Sequence, residues 1–462
     1  MRETLERLSK GELIELILRL QEQVAALEAE VARLRKDSSN SHKPPSSDIV
    51  KPPAQATPGP KRQIGGQPGH PKHARAPFAP DKIDDIREYV LERCPRCDGN
   101  LQAARGQVRV MQQVELVEQP IRITEHRAYT SWCPHCRKFH AAALPVEVAK
   151  CGLVGPRLTA LVGYLKGGCH ASYSAIQALL GDVMQLSLSS GQLAKLVGKT
   201  SAALAGSYLE LLYLLPAQER LNVDETGHKD RGDGYWTWCF RAPRFTLFRI
   251  DPSRGSKVLS AVLGKTFAGV LGADYFSAYR KYMGDGNVLV QFCLAHLIRD
   301  VKFLTTLDAA TKRYGQRLLH RLRRLFHVIH RRQQMTHSRF QHALESARDR
   351  LLATAILPPK TPNACNLARR FQKHANAYFR FITTPAVEPT NNLAEQALRF
   401  VVIDRRITQG TRGAAGRTWS ERIWTVIATC AQHRHSAFHF LHQSLLAHLA
   451  GQTTPSLLFN SS

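Results

Sequence analysis

Three acids have the type and spacing for metal-assisted chemistry. Asp224 follows the short apolar run 221–223 in "ERLNVDETGHK", Asp274 ends "GVLGAD", and Glu395 lies within "VEPTNNLAEQALRF". Nucleotidyl transfer with two divalent cations needs carboxylates that hold the ions about 3.5–4 Å apart on the scissile phosphate. Mg2+ (or Mn2+) takes few carboxylates and fills the remaining positions with water and phosphate oxygens, so three acids from distant segments suffice. Singly, each acid is ordinary: strand-end aspartates are common turn residues, and a helical Glu with Arg399 four residues on is a common surface pair. A second group is formed by "CPRC" at 94–97 and "CPHC" at 133–136. Paired Cys-x-x-Cys knuckles suit tetrahedral Zn2+ with thiolates at about 2.3 Å. Cys94, Cys97, Cys133 and Cys136 are the expected structural ligands, with His140 as a replacement. Cys293 and His296, at the start of "CLAHLIRDVKFL", form a third pair, for which a buried helix start is an equal reading.

The elements that must position these residues follow from periodicity. "GYWTWCFRA" and "RFTLFRID" read as strands after the first short one, then a helix, "GSKVLSAVLGKT", and the strand that ends at Asp274. The order is β-β-β-α-β, with an acid at the end of the first and fourth strands; "NVLVQF" reads as a fifth. A helical, basic stretch follows to about residue 384. Thr390 or Asn391 then caps a helix through Glu395 and Arg399. Glu388 precedes Pro389 and is biased to an extended loop facing solvent or a basic neighbour.

Around this centre, Leu13, Leu20, Leu27 and Leu34 alternate with Ile17, Val24 and Val31 in a heptad seam. β-Branched residues at a with Leu at d predict a parallel two-stranded coil, hence a dimer through residues 13–34. A single amphipathic helix packed on its own protein is the alternative. The Pro-, Ser- and Gly-rich segment that follows cannot bury enough surface to fold alone. Runs "IREYVL", "VRVMQQVELV" and "IRITEHRAYT" read as short strands framed by the cysteine knuckles. The pair "SYSAIQALLGDV" and "SSGQLAKLVGKT", with Ser189 or Ser190 as cap, has the size of a helix-turn-helix, although generic helical packing would look the same. With 64 Lys and Arg against 37 Asp and Glu, the net charge of +27 favours a polyanionic partner. The charged N-terminus predicts neither signal peptide nor membrane span, and ten cysteines fit a reducing cytosol, with association to the nucleoid.

The order of strands and acids resembles the RNase H-like core of DDE transposases. "SSNSHKPPSSD", "GGQPGH", the two Cys-Pro-x-Cys knuckles, "VDET", "ADYFSAY", "CLAHLIRDVKF" and "PTNNLAEQALR" are similar, in order, to signatures of the insertion-sequence-66 family of bacterial transposases. The resemblance implies a protein that binds the terminal inverted repeats of its element, frees 3′ hydroxyls by Mg2+-dependent cleavage and joins them to target DNA. It implies Asp224, Asp274 and Glu395 as metal ligands, with Cys293, His296, Asn391, Asn392 and Arg399 as secondary site residues and accessory proteins as further candidate partners. The family's proline after Leu-Arg and its Arg-Lys-Asn are absent from "ALRFVVIDRRITQGTRGAAG", although Arg405, Arg406, Arg412 and Arg417 keep that stretch basic. A non-catalytic DNA-binding regulator and an RNase H-like nuclease without strand transfer are the competing functions.

The expected architecture is multidomain α/β. It comprises a coiled-coil helix (1–36), a basic linker (37–82), a zinc-ribbon-like module (83–150) and a small helical domain (151–214). An RNase H-like core in two parts (215–300 and 385–430) flanks a helical basic insertion (301–384), and a helical tail (431–462) follows.

Overall fold

The computed structural model describes residues 9–34, 77–86, 110–114 and 120–459, with positions 91, 96, 98, 116 and 117. It divides into two compact units, Met1–Pro53 with His126–Asp182 and Leu186–Ser462, and Ala54–Glu125 with Val183–Gln185. In the smaller unit, a 3-10 turn spans Pro80–Lys82, and the Gln112 side-chain amide bonds both backbone groups of Phe78.

In the larger unit the heptad run is one helix, α1 (Lys10–Leu34). Ser9 starts it with reciprocal bonds to Glu12, satisfying N–H groups that the first turn leaves without partners. Ile17, Val24, Leu27 and Val31 are 45–66% exposed, so among the described residues nothing covers the seam.

The strand expected at "IRITEHRAYT" is not there: residues 121–129 are irregular and Ile123 is 88% exposed. The described positions of "VRVMQQVELV" are likewise not strand. Alternation makes a strand only beside a partner ladder, and among the described residues neither segment has one. The hairpin forms one step later, as β1 (Thr130–Cys133) and β2 (Lys138–Ala141) around "CPHC". Cys94, Cys97 and the Cys133 side chain lie outside the described residues, as do most of "IREYVL" and the linker.

Helices α2 (Val146–Cys151), α3 (Pro156–Gly167), α4 (Tyr173–Met184), α5 (Ser190–Ala203) and α6 (Ala205–Leu214) precede the sheet. Of the two serines at the head of α5, Ser189 is the cap, exchanging bonds with Gln192.

The sheet has the order β5-β4-β3-β6-β7, from β3 (Arg220–Asp230), β4 (Asp233–Arg241), β5 (Thr246–Asp251), β6 (Val270–Ala273) and β7 (Leu289–Phe292). The first three strands are antiparallel; β6 pairs parallel to β3, and β7 to β6. A two-residue turn with positive φ at Arg231 and Gly232 joins β3 to β4, a geometry that matches strand twist and favours Gly. This hairpin corrects the short strand expected before Asp224: pairing with β4 runs through Asp230, so Asp224 lies mid-strand. The polar Thr226 and His228 mask the strand in sequence because their partners are side chains from elsewhere. Helix α7 (Ser256–Leu263) leads to β6, and α8 (Ser277–Gly286), not anticipated, leads to β7. Parallel neighbours require such a crossover.

Then come α9 (Leu294–Leu304), α10 (Ala309–His330), α11 (His337–Ala355), α12 (Pro362–Tyr378), α13 (Arg380–Thr383), α14 (Asn392–Thr408), α15 (Ala414–Gln432) and α16 (Ala437–Ala450). Helix α15 covers the β5 edge: Glu421, Thr425 and Thr429, four residues apart, accept from the backbone N–H groups of Ile250, Phe248 and Thr246. An edge that would otherwise template pairing is thereby closed. Trp238, Phe240 and Phe248 fill the core with Trp424 of α15.

Candidate functional site

Strand alternation puts Asn222, Asp224, Thr226, His228 and Asp230 on one face of β3, the face covered by α14 and the loop after it. The parallel β3–β6 register pairs Asn222 with Gly272, so Asp224, two residues further on β3, and Asp274, the residue after β6, emerge from neighbouring strands at the same end of the sheet. Asp274 is buried and accepts from Phe276 N at 2.8 Å. The first turn of α14 presents Glu395.

The Asp224 carboxylate feels the other two. Burial pushes the Asp224 carboxyl well above the usual range, and the negative charges of Glu225, Asp274 and Glu395 push it further; the Glu225 N–H donating to Oδ1 opposes them. On the opposite face, burial and then Asp274 raise Glu225, while Arg254 (2.8 Å) and the Tyr279 hydroxyl bond it and pull it back.

Glu395 is held from α9. His296 Nδ1 lies 3.4 Å from Oε1, Arg299 Nη2 donates to Oε2 at 3.4 Å, and Arg299 Nη1 is 3.2 Å from His296 Nε2. Ligand atoms of Cys293, His296 and Glu395 all lie within 4.8 Å of one another. Burial pushes the Cys293 thiol up to about 11, so it stays protonated at neutral pH, where it accepts from Asn391 N at 3.1 Å. As it stands, Cys293 braces the backbone that begins α14.

Asn391 occupies the N-cap position, yet its side chain makes no cap bond. It is 1% exposed; its amide donates to Val223 O at 2.8 Å and accepts from Asn222 Nδ2 at 3.0 Å. The expected helix cap is instead a tether between α14 and the strand that carries Asp224.

Other expectations part from the structure. Arg399 is exposed and, among the described residues, makes no ion pair with Glu395; that place belongs to Arg299. The signal for Arg299 was its spacing, three residues after His296 on one helix face. Asn392 and Glu388 are exposed. Of the four arginines that keep the stretch after Glu395 basic, Arg405 turns in to Thr226 and Arg417 to Asp230, while Arg406 and Arg412 are exposed. Asp230 also takes the Thr411 hydroxyl and Gly413 N, and Thr411 meets His228 Nε2 at 3.0 Å. The loop after α14 is thus locked to β3.

In the β1–β2 hairpin, Cys136 Sγ lies 3.0 Å from His140 Nε2. Among the described residues no helix is long and apolar enough to cross a membrane.

Three family models match the chain. The Transposase IS66 family matches residues 151–418, the zinc-finger binding domain of transposase IS66 matches 92–137, and a family of unknown function (DUF6444) matches 3–76. No curated protein matches. The zinc-finger match contains all four knuckle cysteines, and the first match runs from α2 through the loop that locks onto β3. Covering more than half of the 462 residues, it places the chain in the IS66 family of transposases.

Proposed function

We propose that this transposase is a Mg2+-dependent DDE enzyme that binds the terminal inverted repeats of its element, cleaves DNA there and transfers the freed strand to a target. The observation that carries the reading is the convergence of Asp224 on β3, Asp274 at the end of β6 and Glu395 on α14, close enough that the charges of the latter two raise the Asp224 carboxyl. Buried like charges favour proton uptake unless a cation offsets them, which is the donor set a divalent ion fits. An antiparallel hairpin followed by parallel crossovers, with Asp224 on the central strand and Asp274 directly after its parallel neighbour, supports an RNase H-like core.

When bound, such cations supply polarisation of the attacking and leaving oxygens of a phosphodiester. The chain's residues do the rest. Asp224 presents its carboxylate from β3 and Asp274 from the end of β6; Arg299 bonds the Glu395 carboxylate and His296 flanks it; Asn391 fixes α14 to β3. A water and then a 3′ hydroxyl attack in line, with no covalent protein intermediate.

The exposed seam of α1 supports a parallel dimer through residues 13–34. The hairpin cysteines support Zn2+ held by Cys94, Cys97, Cys133 and Cys136, with His140 within reach of Cys136.

Purified protein, terminal-repeat DNA, Mg2+ and a target plasmid test the reading. Cleaved ends joined to the plasmid are expected. Binding without cleavage would make the chain a DNA-binding regulator, and cleavage without joining a nuclease.

A further inference from the structure

Helix α10 buries Tyr314, Gly315, Leu318, Leu322 and Leu325 along one stripe. Its packing on α9 is close: a Cβ at Gly315 would lie 3.0–3.2 Å from Thr305, Leu304 and the Val301 carbonyl. The opposite stripe carries Arg313, Arg317, His320, Arg321 and Arg324, with Arg331 capping the helix's C-terminal end, a run of roughly 27 Å at 1.5 Å per residue.

This stripe differs from a solvated helix face in two ways. Residues 309–336 contain no Asp or Glu, whereas α11 mixes Glu345 and Asp349 among its cations. Among the described residues, none of the α10 arginines is ion-paired. Five uncompensated arginines repel one another, a cost that a polyanion would relieve. The second difference is shape. Arg313, Arg317, His320 and Arg321 line one wall of an open cleft of about 790 Å³, with Leu357, Pro358 and Pro359 opposite. The cleft lies on the insertion rather than at the three acids, so it does not belong to the proposed active site.

We infer that the Arg313–Arg317–Arg321 wall of this cleft binds the phosphate backbone of duplex DNA. Guanidinium forks match phosphate oxygens, and an all-positive face with no base-reading pattern gives contact that does not depend on sequence. The inference deepens the transposase reading, because α10 is packed directly on the helix that holds Glu395 and would carry DNA phosphates beyond the cleavage point.

The test is the salt dependence of full-length protein binding a 30-base-pair duplex of arbitrary sequence. Each phosphate contact contributes about 0.9 to the slope of log K against log salt. The triple variant R313Q/R317Q/R321Q is expected to lose about 2–3 from the magnitude of that slope, and R313K/R317K/R321K to keep it, which separates charge from folding. An unchanged slope in the Gln variant would overturn the inference. Cleavage of terminal-repeat DNA by wild type is scored in parallel. Cleavage with an unchanged slope sinks only the α10 surface; a reduced slope without any cleavage supports the surface and sinks the enzyme reading.

Discussion

His296 Nδ1 lies 3.4 Å from Glu395 Oε1, while Arg299, one turn along α9, reaches the other carboxylate oxygen at the same distance. A carboxylate bonded at Oε2 by Arg299 and flanked at Oε1 by His296 is confined before any ion arrives, and such supporting contacts are typically worth about 10- to 100-fold in metal affinity or activity. His296→Ala is therefore expected to raise the Mg2+ concentration for half-maximal cleavage by about that factor. Arg299→Lys, which keeps the charge but not the fork, should fall between it and wild type. A Mg2+ titration of cleavage reads both; an unshifted midpoint in His296→Ala would remove the positioning role.

Asn391 joins α14 to β3 through two buried bonds. Asn391→Ala leaves the Val223 carbonyl and the Asn222 amide without these partners, at a cost of about 1–3 kcal/mol. Urea unfolding should show the loss. Asn391→Asp, which accepts from Asn222 but cannot donate to Val223 O, should recover only part of it.

His228 gives a pH signature away from the acids. Burial first, then Arg405, lower its pKa to about 4; Asp230 opposes the shift. Below pH 6.5 the unfolded imidazole takes a proton that the folded one refuses, so this contribution to stability is complete above pH 6.5 and is lost as pH falls toward 4. Unfolding free energy across that window should fall less in His228→Gln than in wild type, by up to about 3 kcal/mol. Parallel curves would contradict the assignment.

For the cysteine knuckles, zinc content after dialysis should be a single ion per chain, lowered by Cys136→Ala. His140→Ala decides whether the 3.0 Å approach to Cys136 is ligation or contact: retained zinc makes His140 a neighbour, and lost zinc makes it a ligand.

The sequence showed the three acids because they stand in short, separately recognisable segments, and strand order alone suggested that they meet. It showed the heptad helix and the β4 and β5 strands by periodicity. It hid the length of β3, because Thr226, His228 and Asp230 are polar residues buried against Arg405, Thr411 and Arg417. It hid α8, whose "SAYRKYMGDG" carries Gly284 and Gly286 in its last turn and has low mean hydropathy, although parallel strands demanded a crossover. It misassigned Asn391 because a side chain at an N-cap position can be used by tertiary contacts as readily as by its own helix. Arg399 looked like the partner of Glu395 because spacing along one helix is visible in sequence and an approach from α9 is not.

The central claim is that Asp224, Asp274 and Glu395 together hold the catalytic cations, and the two glutamates of "VEPTNNLAEQALRF" provide its most direct measurement. Mg2+-dependent cleavage of terminal-repeat DNA should be compared in wild type, Glu395→Gln and Glu388→Gln, with DNA binding monitored in each. The account predicts that Glu395→Gln binds DNA but loses cleavage by about 10³-fold or more, the several kcal/mol of a metal contact, while Glu388→Gln keeps most of it. Cleavage that survives in Glu395→Gln at near wild-type rate would contradict the account.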